Sequence, residues 1–285
     1  SAACMDRLKK DNLKLFDIDL STCGGAEILV RGKTVTEDKW VRKKSKMLLI
    51  YLLVNHGTRI QKDKVLGLFF NELSAESAEN VFHQAITNIR NALKSGAELR
   101  ISEKKETASK ISRTKKKTDE IIEFSPSYIM YEDKILQMAK EYNYRIDVIE
   151  FNRMVNVVKS SESDDILIVK TAKEAIALYK GEFLPGYYDE WIEEMRTSFQ
   201  FKYIELCECL LNVLKKGENY DEIVLYAEKL LAADKLHEDA YVLIIDAFSK
   251  SGNHNMAKKK FTQLLKNYEE EYGEKPPKNV LNQIQ

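Results

Sequence analysis

The sequence predicts a mainly α chain with small antiparallel sheets, divided into two unlike halves. Three observations carry this. Four prolines and eleven glycines in 285 residues leave few of the breaks that a loop-rich chain needs. Helical spacing of apolar residues runs through most of the chain, whereas strand-like runs are confined to residues before 36 and to 120–138. The formal net charge of zero conceals a split: residues 1–146 carry 27 Lys and Arg against 20 Asp and Glu, and residues 147–285 carry 18 against 25. From Lys39 to Lys117 the count is 18 against 7. A basic half beside an acidic one suits a chain that meets a polyanion with one end only.

In chain order, residues 13–20 and 26–30 read as short strands around a Gly24-Gly25 turn, followed by Thr34-Val35-Thr36 after Gly32. Residues 42–55 enclose the run MLLIYLLV, apolar nearly all round, and so predict a buried helix ended by Asn55-His56-Gly57. Residues 61–70 make a second, short helix with Val65, Leu66 and Phe69 inward. The stretch from Ser74 to Ser95 is the most informative. Ala78, Phe82, Ala85, Ile86, Ile89 and Leu93 fall on one stripe, the pattern of a helix laid on a core. Ser74 or Ser77 would cap it. Its outer side carries Ser77, Asn80, Gln84, Thr87, Asn88, Asn91 and Lys94 instead of paired Glu and Lys. Amides and hydroxyls both donate and accept, which suits the reading of base edges.

Residues 120–131 and 135–138 read as strands joined at Glu132-Asp133-Lys134. Sheet, buried helix, short helix, two-faced helix and hairpin is the order of a winged helix-turn-helix domain, placed at 1–146. Between helix and hairpin, residues 96–119 show no apolar periodicity and carry seven Lys and Arg from Lys104 to Lys117, which predicts a flexible basic insertion in contact with phosphates.

Residues 147–285 are predicted almost wholly helical: a helical hairpin around 160–163, an interruption at GEFLPGYYDEW, a long helix to about 216, then helices near 219–232, 237–251 and 254–271 and a short one after Pro276-Pro277. Gly217 and Gly252 lie 35 residues apart, each at a helix end, and Tyr226 and Leu230 recur as Phe261 and Leu265. That offset is the signature of tetratricopeptide-like repeats. Tyr187, Tyr188, Trp191, Tyr203, Tyr226, Tyr241 and Phe261 read as packing residues between these helices.

Other classes fare poorly. No apolar run exceeds the eight residues of Met47–Val54, well short of the roughly 20 that span a bilayer. The first residues lack the apolar core of a secretory signal. Cys4, Cys23, Cys207 and Cys209 form no C-x-x-C pair, so no metal is expected, and isolated thiols suit a reducing cytoplasm. His56, His83, His237 and His254 are scattered and no phosphate-binding glycine loop occurs, so neither an enzyme nor a cofactor is expected.

Three stretches carry a family resemblance: WVRKKSKMLLIYLL from Trp40 with KDKVL from Lys62, AENVFHQAITNIRNAL from Ala78, and, most specifically, LYKGEFLPGYYDEWIEEMR from Leu178. The chain resembles, from Leu13 onward, the SARP family of bacterial transcriptional regulators, an OmpR-type winged helix followed by a bacterial transcriptional activator domain. It departs from that pattern where the family often has Arg and this chain has Asn88 and Asn91, and in the length and charge of 96–119.

The expected function is sequence-specific binding of double-stranded promoter DNA by a transcription activator. Asn80, Gln84, Thr87, Asn88 and Asn91 are the expected base contacts. Arg42, Lys43, Lys44, Lys46, Lys62, Lys64, His83, Arg90 and Lys94 are the expected phosphate contacts. Tyr128, Tyr131 and Lys134 are the candidates in the wing. The resemblance further implies a loop facing RNA polymerase, with Asn71, Glu72 and Ser74, binding to tandem sites as a homodimer, and a helical half that couples to a ligand or another protein. The alternative is a tetratricopeptide-type scaffold whose basic half binds a protein or RNA.

Overall fold

The computed structural model describes residues 16–109, 127–161 and 164–284. The chain separates into two compact units, Ser1–Ile149 and Glu150–Gln285.

The first unit opens with β1 (Ile18–Ser21), β2 (Glu27–Val30) and β3 (Lys33–Thr34), then a single 3-10 turn (Glu37–Lys39). Helices α1 (Lys43–Val54), α2 (Lys62–Phe69) and α3 (Ala75–Ser109) follow, with the two-residue β4 (Ile60–Gln61) ahead of α2. The unit's strands end with β5 (Ile129–Glu132), β6 (Ile135–Met138) and β7 (Tyr144–Ile146). One sheet has the order β3-β2-β1-β7, the other β4-β6-β5. All pairings are antiparallel except β1 with β7, which is parallel. Strands β4 and β7 escape sequence reading because two or three residues cannot display a period of two.

Two tight turns set the registers. Arg31 and Gly32 have φ of 49° and 81°, and Asp133 and Lys134 have 49° and 61°. Each pair joins strands across a two-residue loop in which both central residues are left-handed, the turn whose twist matches that of paired strands. In α1 every residue from Ser45 to Leu53 is buried, as the all-round apolar run predicts. The inner stripe of α3 is buried throughout: Ala78, Phe82, Ala85, Ile86, Ile89 and Leu93 are all at most 4% exposed. Ser74 is the cap, its Oγ accepting from the Ser77 N–H at 3.4 Å.

Helix α3 continues to Ser109, so the first part of the expected flexible insertion is helical instead. Its Ala, Glu, Lys and Leu content explains this, since good helix formers propagate a started helix without an apolar stripe. The remainder of the insertion, from 110, lies outside the described residues.

Of the helices that make up the second unit, the first is α4 (Asp147–Ser160), which starts three residues before the unit's boundary. There follow α5 (Asp165–Leu178), α6 (Glu190–Lys216), α7 (Tyr220–Ala233), α8 (Glu238–Lys250), α9 (His254–Tyr272) and α10 (Lys278–Ile284). Each helix from α5 to α8 packs on the next, and α10 packs on α8. Side chains cap three of them: Asp164 at α5, Asn219 at α7 and His237 at α8. Gly252 (φ 80°) leaves α8 and Gly273 (φ 66°) leaves α9 in left-handed geometry, whereas Gly217 at the end of α6 does not need it.

The interruption before α6 is held from inside. Arg196 donates through Nε to the carbonyl of Phe183 at 3.0 Å and through Nη2 to Leu184 and Tyr187 at 2.8 and 2.7 Å. Phe183 and Leu184 are fully buried, and Leu184 has a φ of 47°. Arg196→Met is expected to cost about 2–3 kcal/mol in urea unfolding, because three carbonyls lose a charged donor; a loss below about 0.5 kcal/mol, the scale of a surface change, would contradict this role. Among the aromatic residues expected to pack, Trp191, Tyr203 and Tyr241 are buried, but Tyr188 is 79% exposed.

Candidate nucleic-acid interface

Fixing the inner stripe of α3 fixes its outer face. Asn80, Gln84, Thr87 and Asn91 recur at helical spacing on the side away from the core and are exposed. Asn88 lies to one side of that stripe and is half-buried. The Thr87 hydroxyl donates to the His83 carbonyl at 3.1 Å, which leaves its oxygen chiefly an acceptor. Among the described residues, no hydrogen bond engages the side-chain amides of Asn80, Gln84 or Asn91. Three amides, each able to donate and accept, therefore stand open on one face of a helix whose opposite face is locked in a core.

The expected phosphate contacts separate into three groups. Arg42, Lys43 and Lys64 are exposed, and Lys94 is half-buried. Lys44 is exposed along its stem, but its Nζ donates to the Phe69 carbonyl at 2.9 Å and lies 4.0 Å from Glu72. Arg90 donates through Nη2 to the Ile129 carbonyl at 3.2 Å, and the exposed His83 ring meets Tyr131 edge-on at 5.7 Å. Lys46 and Lys62 belong to neither set. Lys46 is 3% exposed with its ammonium on Glu37, and Lys62 is 9% exposed with its ammonium on Glu79. Both ammoniums lie beneath the surface against a carboxylate, so these two lysines are corrected to structural residues and not phosphate contacts.

The wing also differs from expectation. Tyr128 is 1% exposed, packed edge-on against Tyr142, and burial pushes its hydroxyl pKa up to about 12. It belongs to the core and cannot reach a groove. Tyr131 is half-buried against Phe82, with ring centroids 5.2 Å apart. Only Lys134, at the turn, is exposed, and Glu132 and Asp133 stand beside it.

In the loop ahead of α3, Asn71 and Glu72 are exposed, while the Ser74 hydroxyl serves the cap. Sequence reading missed two exposed apolar residues, Leu73 in this loop at 43% and Val41, two residues ahead of α1, at 75%. Their signal is an apolar residue inside a polar run, too common to single them out. It also missed Glu79, whose partner Lys62 is 17 residues away in the chain.

The positive charge of this half is unevenly placed. Lys110–Lys117 holds five cations and no acid, and this segment lies outside the described residues.

In the helical unit a cleft of about 430 Å³ opens between α7, α8 and α9, where Glu228, Tyr241, Gln263, Asn267 and Glu270 line it. Lys260 is buried at its edge, 2.6 Å from Glu228. The Cys207 thiol is fully buried and pushed up to about 12 by that burial, so it is not a nucleophile at neutral pH. Among the described residues no helix is long and apolar enough to cross a membrane.

Residues 146–284 match the family model of the bacterial transcriptional activator domain. Among solved structures the chain is similar to Mycobacterium tuberculosis EmbR in complex with a low affinity phosphopeptide, with a TM-score of 0.63 at 13% identity. The match covers 94% of this chain and 64% of that one, so the chain spans less than two thirds of its solved relative. At that identity the likeness is one of fold. No curated protein matches the chain.

Proposed function

We infer that the chain is a transcription regulator of the SARP type, a bacterial transcriptional activator domain behind a winged helix-turn-helix, and that it acts by reading duplex DNA with α3. The observation that carries this reading is the stripe of open amides at 80, 84 and 91 on a helix held by a fully buried inner face. Gln and Asn pair bidentately with adenine in the major groove, whose width admits one helix. Arg42, Lys43, Lys64, Lys94 and Lys134 supply phosphate contacts that position the helix without reading sequence. Asn71 and Glu72, with Leu73, form the surface offered to RNA polymerase. The helical unit joins two copies on tandem sites and couples them to a ligand or protein.

Selection of bound duplexes from a random library tests the reading. One enriched motif, richest in adenine where the amides fall, is the expected result. Recovery of no motif would favour a scaffold that binds protein or RNA.

Salt dependence gives a separate check on the basic segment. Deleting residues 98–117 is expected to flatten the slope of log K against log salt by about 0.9 for each phosphate contact removed. An unchanged slope would make that segment a linker.

A further inference from the structure

From Glu79 to Arg90, the flank of α3 next to its amide stripe is engaged by other elements. Lys62 opens α2 and stands where three elements meet. Its backbone N–H donates to the Lys134 carbonyl at 2.8 Å, in the left-handed turn of the wing, and its ammonium is held by Glu79 in the second turn of α3. One turn further on, His83 lies edge-on to Tyr131 of β5, and two turns beyond that Arg90 donates to the Ile129 carbonyl. Residues 79, 83 and 90 therefore bind α3 to α2 and to the wing, while 80, 84 and 91 on the adjacent stripe stay open.

We propose that Glu79 is a positioning residue for DNA recognition: by holding Lys62, it fixes the roll of α3 relative to α2 and the wing, and with it the aim of the amides. The proposal rests on the DNA-reading function inferred above. Side-chain tips lie about 5–6 Å from a helix axis, so a roll of about 10° moves them by about 1 Å. Bidentate recognition tolerates about 0.5 Å. A brace on the neighbouring flank is thus a condition of readout and not only of stability. The surroundings of Glu79 agree with a structural anion. The Lys62 ammonium, which is hydrogen-bonded to it, holds its carboxyl below the usual carboxylate range, and His83 and Lys134 act in the same direction.

The sign of the effect separates this role from simple electrostatics. A carboxylate on a DNA-facing helix repels phosphates, so removing it should tighten binding if it does nothing else. If it positions α3, removing it should weaken binding to the selected site. Glu79→Gln, Lys62→Gln and the double variant are compared in the full chain, on the selected duplex and on a random duplex across a salt series. The expected result is that each single change lowers the ratio of selected-site to random affinity by about tenfold, and that the double change lowers it no further than the worse single. The salt slope of Lys62→Gln stays at the wild-type value, because no phosphate contact is lost.

A variant that is partly unfolded loses both affinities alike and leaves the ratio unchanged. An unchanged or raised ratio in Glu79→Gln overturns the proposal, as do opposite and additive effects of the two singles. If the wild-type chain enriches no motif at all, the DNA-reading function falls, and this role with it. If the wild type enriches one and the ratio does not respond to Glu79→Gln, the role alone falls.

Discussion

Asp147→Ala is expected to lower the stability of the first unit by about 3–5 kcal/mol, the scale set by a buried charge whose donors are left without an acceptor. Asp147 is 4% exposed. Its Oδ2 accepts from the Thr22 and Cys23 N–H groups at 2.6 and 2.9 Å, and its Oδ1 accepts from the Thr22 hydroxyl at 2.7 Å and the Val148 N–H at 2.8 Å. Thr22 and Val148 are fully buried and Cys23 is 6% exposed, so water cannot replace what the carboxylate provides. The alanine side chain would take the acceptor from two backbone donors and a hydroxyl at the turn between β1 and β2 and from the Val148 N–H at the start of α4. Asp147→Asn retains one acceptor oxygen, faces donors with its NH2 group, and should fall between alanine and wild type. Urea unfolding of the full chain, with hydrogen exchange at the Thr22 and Cys23 amides, measures the effect. A loss below about 1 kcal/mol, with those amides still protected, would mean that the turn finds other acceptors.

Next to this carboxylate, Arg145 forks onto both oxygens of Asp19 at 2.9 and 3.0 Å. Burial nonetheless raises the Asp19 carboxyl above its ordinary range, with the Arg145 charge opposing and Asp147 adding a smaller push upward. A raised folded pKa means that the ionised form is costly here, so this group's contribution declines as pH rises through that pKa. The Arg145 fork ties β7 to β1 in the parallel pairing that sequence reading did not foresee.

What was legible follows the range over which each feature is encoded. The inner stripe of α3 repeats every three or four residues, and every position read as buried is buried. The buried α1 and the hairpin turn at 133–134 are equally local. The fates of the lysines are not. Lys46 and Lys62 look like Lys43 and Lys64 in the sequence, but the fold buries the first pair against Glu37 and Glu79, 9 and 17 residues away, and leaves the second pair exposed. Tyr128 likewise reads as a wing aromatic until the fold turns it inward onto Tyr142. Charge and aromaticity are visible in a sequence, whereas the partner that occupies them depends on tertiary contacts. The second unit was legible for another reason, since from α5 to α9 each helix is bounded by a side-chain cap or a glycine and packs on a sequence neighbour.

The largest effect on recognition is expected from the open amides. Gln84→Ala and Asn91→Ala should each weaken binding to the selected duplex by about 1–3 kcal/mol, roughly five- to 150-fold, and leave random-duplex affinity and the salt slope near wild type. Asn88→Ala should cost less, because Asn88 is half-buried on the flank. Neither of the first two changes removes a hydrogen bond within the described residues, so unfolding transitions should stay where they are. A gel-shift series in which Gln84→Ala and Asn91→Ala match wild type on both duplexes would remove α3 from the groove. The complementary change tests the chemistry and not only the location. Gln84→Arg replaces a side chain suited to adenine N6 and N7 by one suited to guanine O6 and N7, at a position with room to extend. If α3 reads bases through position 84, a renewed selection should exchange adenine for guanine at one place in the motif. A general gain in affinity without that exchange would mean that position 84 meets only phosphates, and that sequence is read elsewhere on the first unit.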